Sequence, residues 1–585
     1  MSLADKKFQK LTREEMKAGL LVAQGATESD CTIKNIRILD LVTGKIYPSA
    51  IAISGKYIAG VGLEYENFKT KKMIDGKGAV VVPGFIDGHV HIESCMMTPF
   101  EFEAMTLPLG TTTAICDPHE ITNVMGEEGF EWFLRSAELM EQNFYVQVSS
   151  CVPALPGFET NGSEFNVTAM KKYKESKHVL GLAEMMNFPG VIYGDESVHD
   201  KIEAFQDLNL DGHAPLLRGT GLNAYIFAGI KNCHETVLLE EGEEKLQKGM
   251  SVMLREGSVA KNLLNLSPLV TEFSSAQCFL CTDDRNPFEI SHEGHINFMV
   301  RELIQKAKIP AHVAYRLSSF SAAKHFGLKR MGLVAPGMKA DLVLLKDYLN
   351  VDIQDVFING NIVNRTELEK KSQEKLQLSK PPIKNTINRE KITVDELTLK
   401  LENGVYNVIE VVPNEIITHH LKLKYDGNKF ETDDVLFMAN VERYGKMLKP
   451  ALGLVKGFEL KSGAIASSVA HDSHNLMCVG TNVDDMALAL NTIREAGGGF
   501  VVVDQGKVLA LVKLPIAGLM SLDSHSEISQ GIEKLKMSFK SLGVKLNEPF
   551  IQLAFLALPV IPTLKLTDRG LVDVTTFKFI PLKIE

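Results

Sequence analysis

Between Pro83 and about residue 326, short apolar runs alternate with helical stretches, and this repetition limits the fold more than any other feature of the chain. The runs are Thr111 to Cys116, Phe144 to Cys151, Val179 to Ala183, Leu210 to Gly212, Val252 to Leu254 and Cys278 to Thr282. An earlier one, Val81-Val82-Pro83-Gly84-Phe85-Ile86-Asp87-Gly88-His89-Val90-His91, opens with a Pro-Gly turn and continues in residues that favour a strand. Repeated strand and helix units over ~250 residues are what a parallel α/β barrel needs. In such a barrel, chemistry belongs at the carboxyl ends of the strands.

The 585 residues are too many for one hydrophobic core, so further domains must flank the barrel. Residues 5 to 24 read as an amphipathic helix with a capping arrangement at Thr12-Arg13-Glu14-Glu15, within an N-terminal helical extension over 1–28. Residues 31 to 65 alternate in hydrophobicity, with Gly44 and Gly55 at turns, and the pattern returns in Leu342-Val343-Leu344-Leu345 and Val356-Phe357-Ile358. A small β-sandwich-like domain built from 29–82 and 327–365 is the simplest reading, leaving 83–326 for the barrel. Residues 366–391 are rich in lysine, glutamate and glutamine and contain Pro381-Pro382, which suggests a linker. A C-terminal α+β domain is expected over 392–585, with a hairpin in Phe500 to Val508.

A net charge of -10 argues against nucleic acid as a partner, because such proteins present a basic face. Charges stand where a secretory leader would place its apolar core, and no stretch of ~20 apolar residues follows, so a cytoplasmic protein without a membrane partner is expected. Eight scattered cysteines fit reduced thiols in that compartment, and Cys278-Phe279-Leu280-Cys281 reads as an apolar strand rather than half a zinc site.

Side chains two apart on a strand share a face, so His89 and His91 can bind cations together. Other candidate ligands come where apolar runs give out: Glu184 after Val179 to Ala183, His213 after Leu208 to Gly212, His234 after Ile230 to Cys233, and Asp283 after Cys278 to Thr282. Metal-activated hydrolysis needs such a set, with a carboxylate that accepts and returns a proton.

With these residues in order, the chain resembles the amidohydrolase superfamily and, within it, the bacterial adenine deaminase family. The superfamily resemblance rests on Pro83 to His91 and on Ala335-Pro336-Gly337-Met338-Lys339-Ala340-Asp341-Leu342-Val343. The family resemblance rests on His91-Ile92-Glu93-Ser94, Asp117-Pro118-His119-Glu120-Ile121, Gly181 to Val191, Asp211-Gly212-His213-Ala214-Pro215, Cys233-His234-Glu235, Thr282-Asp283-Asp284, Val469 to Asn475 and Leu566 to Asp573. It covers nearly the whole chain. It implies a TIM-like (β/α)8 barrel of the metal-dependent amidohydrolase type and hydrolytic deamination of adenine to hypoxanthine and ammonia, a purine salvage reaction. Two divalent metal ions are implied, Mn²⁺ favoured and Fe²⁺ or Zn²⁺ compatible with imidazole and carboxylate ligands. His89 and His91 would hold one, His213 and His234 the second, with Glu184 bridging where relatives use a carbamylated lysine, and Asp283 against the first. Hydroxide held by the metals would attack C6 of adenine, Asp283 would move its proton, and Glu235 is the candidate second acid.

His119 and Glu120 could touch the metal site or the substrate. Arg218 and Arg255 could contact the purine edge, although exposed salt bridges are the stronger expectation for both. His471, Asp472 and His474, in His471-Asp472-Ser473-His474-Asn475, are expected on a loop that reaches the active site. A homo-oligomer is expected. Two rival readings remain: an amidohydrolase acting on a cyclic amide or another aminopurine, and a noncatalytic barrel scaffold.

Overall fold

The computed structural model describes residues 10–413, 415–446 and 449–584. Eight short strands form the barrel: β1 (Phe85–Val90), β2 (Thr111–Cys116), β3 (Asn143–Val148), β4 (Val179–Met185), β5 (Asn209–Gly212), β6 (Asn232–Cys233), β7 (Ser251–Arg255) and β8 (Cys278–Cys281). Strands β1 to β5 pair in parallel in chain order, as do β6 to β8. Nearly all their residues are buried, as expected of strands covered on one face by helices and on the other by the barrel interior.

Two seams close the ring, and a glycine sits at each. At the β8–β1 seam, Asp283 N–H donates to the His89 carbonyl at 3.0 Å, and a Cβ on Gly88 would lie 2.8 Å from the Phe279 ring and 3.0 Å from the Leu280 carbonyl. At the β5–β6 seam, Gly212 N–H donates to the Asn232 side chain at 2.9 Å, and a Cβ there would come within 2.3 Å of the Asn232 carbonyl. Only glycine permits such close strand approach.

The N-terminal helix spans Arg13–Ala23. It starts later than the expected residue 5 because Thr12 and Glu15 form a reciprocal capping box, which fixes Thr12 outside the helix; residues 5–9 lie outside the described residues. Segments from both flanks of the barrel share one mixed sheet, in which Val80–Pro83 lies between Leu342–Asp347 and Cys31–Leu39. The sheet curls until Ile51, Ile53 and Ile58 pack with Leu342, Leu344 and Phe357 in a common core.

Much of the linker expected at 366–391 is instead a helix, Arg365–Ser379. Its polar composition misled because its contacts to the barrel are polar: Lys375 pairs with buried Glu103 at 2.6 Å, Ser372 hydrogen-bonds Glu101, and Trp132 Nε1–H donates to Ser379 at 2.9 Å. Glu103 also accepts the backbone N–H of Gln142 at 2.7 Å. Removing one partner of a buried pair leaves an uncompensated charge, so Lys375→Ala is expected to lower stability by roughly 3 kcal/mol. Chemical denaturation would read this as a lower midpoint, and an unchanged midpoint would show that the pair holds nothing in place.

Beyond the helix, an eight-stranded sheet runs from Thr418–Tyr425 at one edge to Lys507–Lys513 at the other, and its last hairpin, with Gly499–Asp504, turns at Gln505-Gly506. Helix Val483–Ala496 covers one face through Met486, Leu490 and Ile493. Helices His525–Ser541 and Pro549–Phe555 cover the other through Ile528, Ile532, Phe539 and Phe550, with His525 hydrogen-bonded to Glu101 of the barrel. The connection between strands Ala464–Ser467 and Leu476–Gly480 enters the mouth of the barrel, where Asn475 donates to the Thr160 carbonyl at 3.0 Å. Among the described residues, no helix is long and apolar enough to cross a membrane.

Candidate metal centre

The polar residues at the ends of the barrel strands converge. His89 and His91 share a face of β1 and the residue after it, and their Nε2 atoms stand 3.0 Å apart. His91 donates from Nδ1 to the Asp117 carbonyl at 2.9 Å, which fixes the tautomer and turns the Nε2 lone pair inward. Glu184, near the end of β4, lies between two pairs of imidazoles. Its Oε1 is 3.2 Å from His91 Nε2 and 3.8 Å from His89 Nε2, while its Oε2 is 2.5 Å from His213 Nδ1 and 3.2 Å from His234 Nε2. Asp283, just past β8, brings Oδ1 to 3.2 Å from His91 Nε2 and 3.6 Å from His89 Nε2. Its φ of 55° is a left-handed conformation uncommon outside glycine, and it sits where the chain turns out of the barrel.

All six side chains are buried, and lone pairs aimed at one another this closely demand a positive charge between them. Burial alone would raise the Glu184 carboxyl, but His213 and His234 outweigh it and hold the group well below the usual carboxylate range. Asp283 is likewise held low against burial, by His91 and by the Arg255 guanidinium. Imidazole nitrogens and carboxylate oxygens around two foci fit two divalent cations of the Mn²⁺, Fe²⁺ or Zn²⁺ kind: His89, His91 and Glu184 with Asp283 for one, Glu184, His213 and His234 for the other.

Arg255, at the end of β7, is buried in this site rather than exposed as expected. Its Nη1 donates to Asp283 Oδ2 at 2.8 Å and also to Glu235 Oε1, so one guanidinium faces two carboxyl groups. Arg218 is the opposite case. Its side chain is 48% exposed and pairs with Glu244 at 2.8 Å, which removes it from the cavity.

His119 stacks on His91 with ring centroids 4.5 Å apart, and its Nδ1 is 3.6 Å from Glu184 Oε1. Glu120 accepts from Ser94 at 2.5 Å and faces His471 Nδ1 at 3.9 Å and His474 Nε2 at 4.0 Å. His474 accepts the Ala470 N–H on Nδ1 at 3.3 Å, and its Nε2 is left buried without a hydrogen-bond partner among the described residues. His471 packs on Phe555 at 4.6 Å. Together His471, Asp472, Phe555 and Leu558 roof a cavity floored by His91, Glu184, His213, His234 and Asp283. Four residues escaped the sequence reading. Asp117 and Asp284 belong to motifs whose neighbours drew attention first, and Phe555 and Leu558 lie in an apolar stretch indistinguishable from core.

A parallel eight-stranded barrel with this cluster at its strand ends defines a metal-dependent hydrolase of the amidohydrolase class, and residues 80–363 match the amidohydrolase family. Residues 415–578 match the adenine deaminase C-terminal domain. The chain is 66% identical over 585 residues to a protein of Bdellovibrio bacteriovorus named adenine deaminase, covering 100% of each. A protein of the same name from Shewanella halifaxensis is 52% identical over 584 residues, again covering 100% of both chains. The chain belongs to the adenine deaminase family. Among solved structures it is similar to an atrazine chlorohydrolase from Arthrobacter aurescens, with a TM-score of 0.45 and 14% identity over 59% of this chain and 100% of that one.

Proposed function

We propose that this chain hydrolyses adenine to hypoxanthine and ammonia, and that the site just described performs the chemistry. The observation that carries this reading is the position of Glu184, one carboxylate oxygen turned to each imidazole pair, in a chain whose full-length relatives are named adenine deaminases. Glu184 stands where a carbamylated lysine would be expected in a cyclic amide hydrolase, and all six ligand residues are present, unlike in a scaffold. Two divalent cations held there, manganese by preference, would activate a water and polarise the purine ring.

Asp283 takes a proton from the attacking water and faces the bond that must break. Arg255 donates to both Asp283 and Glu235 and so holds the two carboxyl groups side by side. Glu235 is the second acid and gives a proton to N1 as C6 becomes tetrahedral. Asp283 then passes its proton to the departing amino group, which leaves as ammonia, and loss of the C6 hydroxyl proton restores Glu235. The product keeps a proton on N1 and a carbonyl at C6.

The space between floor and roof is about 20 Å³, enough for a water, and room for a purine calls for outward movement of the roof residues. Eight free, buried cysteines suit a cytoplasmic setting. Exposed Tyr193 and Phe227, on the neighbouring helices Phe188–Tyr193 and Gly219–Phe227, support self-association. The test is ammonia release from adenine, adenosine and cytosine with Mn²⁺, Fe²⁺ or Zn²⁺ supplied. Release from adenine alone is the expected result, and release only from another base would overturn the reading.

A further inference from the structure

The barrel supplies the floor of the site, but the roof comes from the C-terminal domain, and among the described roof residues that line the cavity Asp472 has a carboxyl oxygen without a hydrogen-bond partner. Asp472 is 1% exposed. Its Oδ1 lies 3.7 Å from His471 Nδ1, and its Oδ2 reaches no closer than 4.0 Å to His119 Nδ1 and accepts no hydrogen bond. A buried acceptor without a partner costs about 1–3 kcal/mol, a penalty a chain keeps where a ligand will relieve it. The neighbours of Asp472 on the roof, Phe555 and Leu558, are apolar, so it is the one carboxyl group that this domain presents to the cavity.

The chemistry of the base says which atom faces it. C6 must lie over Glu184 and Asp283, and Glu235 sits on the side of Asp283, bound through Arg255. A purine whose N1 meets Glu235 turns its imidazole ring to the other side of C6, toward His119 and the roof. That ring in free adenine carries one N–H, at N9, and in a nucleoside the same nitrogen is bonded to ribose and donates nothing.

We propose that Asp472 is a specificity-determining residue: its carboxyl accepts the N9–H of the free base as the roof closes, so that N9-substituted purines leave it buried and unpaired. The proposal rests on the assignment of N1 to Glu235. A site built to hydrogen-bond a substrate N–H rejects an analogue lacking it by about 10⁴–10⁵, far more than an apolar wall achieves by shape. The C-terminal domain thereby acquires a chemical role in choosing the free base, beyond covering the barrel.

The test compares adenine with 9-methyladenine, which keeps the reacting edge and lacks only the N9–H, in the full-length, metal-loaded wild type, Asp472→Asn and Asp472→Ala. Asp472→Ala is expected to lower kcat/KM for adenine ~10²–10³-fold and leave 9-methyladenine unchanged, so the preference shrinks by the same factor. Asp472→Asn should fall between, because its carbonyl can still accept from N9–H. Where 9-methyladenine turns over too slowly to time, the ratio of inhibition constants for hypoxanthine and 9-methylhypoxanthine reads the same preference, and the asparagine variant carries the test if the alanine variant does not fold. Parallel losses on both substrates, an unchanged ratio, or loss of bound metal along with activity would overturn the proposal. Failure of the Glu235 assignment is separately visible, because Glu235→Gln should slow both substrates alike.

Discussion

Glu184→Gln is expected to lower kcat/KM for adenine by at least about three orders of magnitude, or ~4 kcal/mol of transition-state stabilisation, and to reduce bound metal from two ions per chain to one or fewer. The amide keeps the size and one acceptor oxygen, so packing should survive. What it removes is the negative charge that faces five imidazoles at 2.5–3.8 Å. An amide nitrogen directed at either imidazole pair would also oppose a cation there. Metal analysis of the purified variant separates this outcome from a simple loss of catalysis: two ions retained with wild-type affinity would show that Glu184 is not the bridge.

Glu235→Gln should give a different signature. Glutamine cannot donate and recover a proton as a carboxyl does, so kcat is expected to fall ~10²–10⁴-fold while both metals stay bound. The contact between Arg255 and Asp283 remains in the variant, so the proton taken from water still has its acceptor. The measurement is kcat over a range of pH together with metal content. If turnover stays within about threefold of wild type, Glu235 only orients its neighbours, which its 3.9 Å approach to His234 Nε2 would then explain.

The barrel and the polar side chains that converge at its mouth were legible in the sequence because most of them lie at the end of, or just after, a strand long enough to show as an apolar run. β6 is the exception. Two residues, Asn232 and Cys233, carry no periodicity, and only His234 behind them marked the place. The helix Arg365–Ser379 read as a linker for the opposite reason: its buried face includes Ser372, Lys375 and Ser379, which bury through hydrogen bonds and an ion pair that no hydropathy pattern reveals. Arg255 shows the same limit. Arg218 is held outside by Glu244 in the exposed salt bridge expected of it, whereas Arg255 ends β7 and is held inside by Glu235 and Asp283, partners distant in sequence and unrecognisable as such in advance. The roof was half legible. His471 and Asp472 stood out as a polar cluster, whereas Phe555 and Leu558 join the site only because helix Pro549–Phe555 packs over the barrel mouth.

A two-ion centre bridged by Glu184, as proposed, would make the deamination of adenine depend on both metals. Its most direct test is a titration of chelator-stripped protein with Mn²⁺ while ammonia release from adenine is followed. Activity absent without metal, rising to a break at two ions per chain, is the predicted result. Full activity at one ion, or activity indifferent to metal, would contradict it.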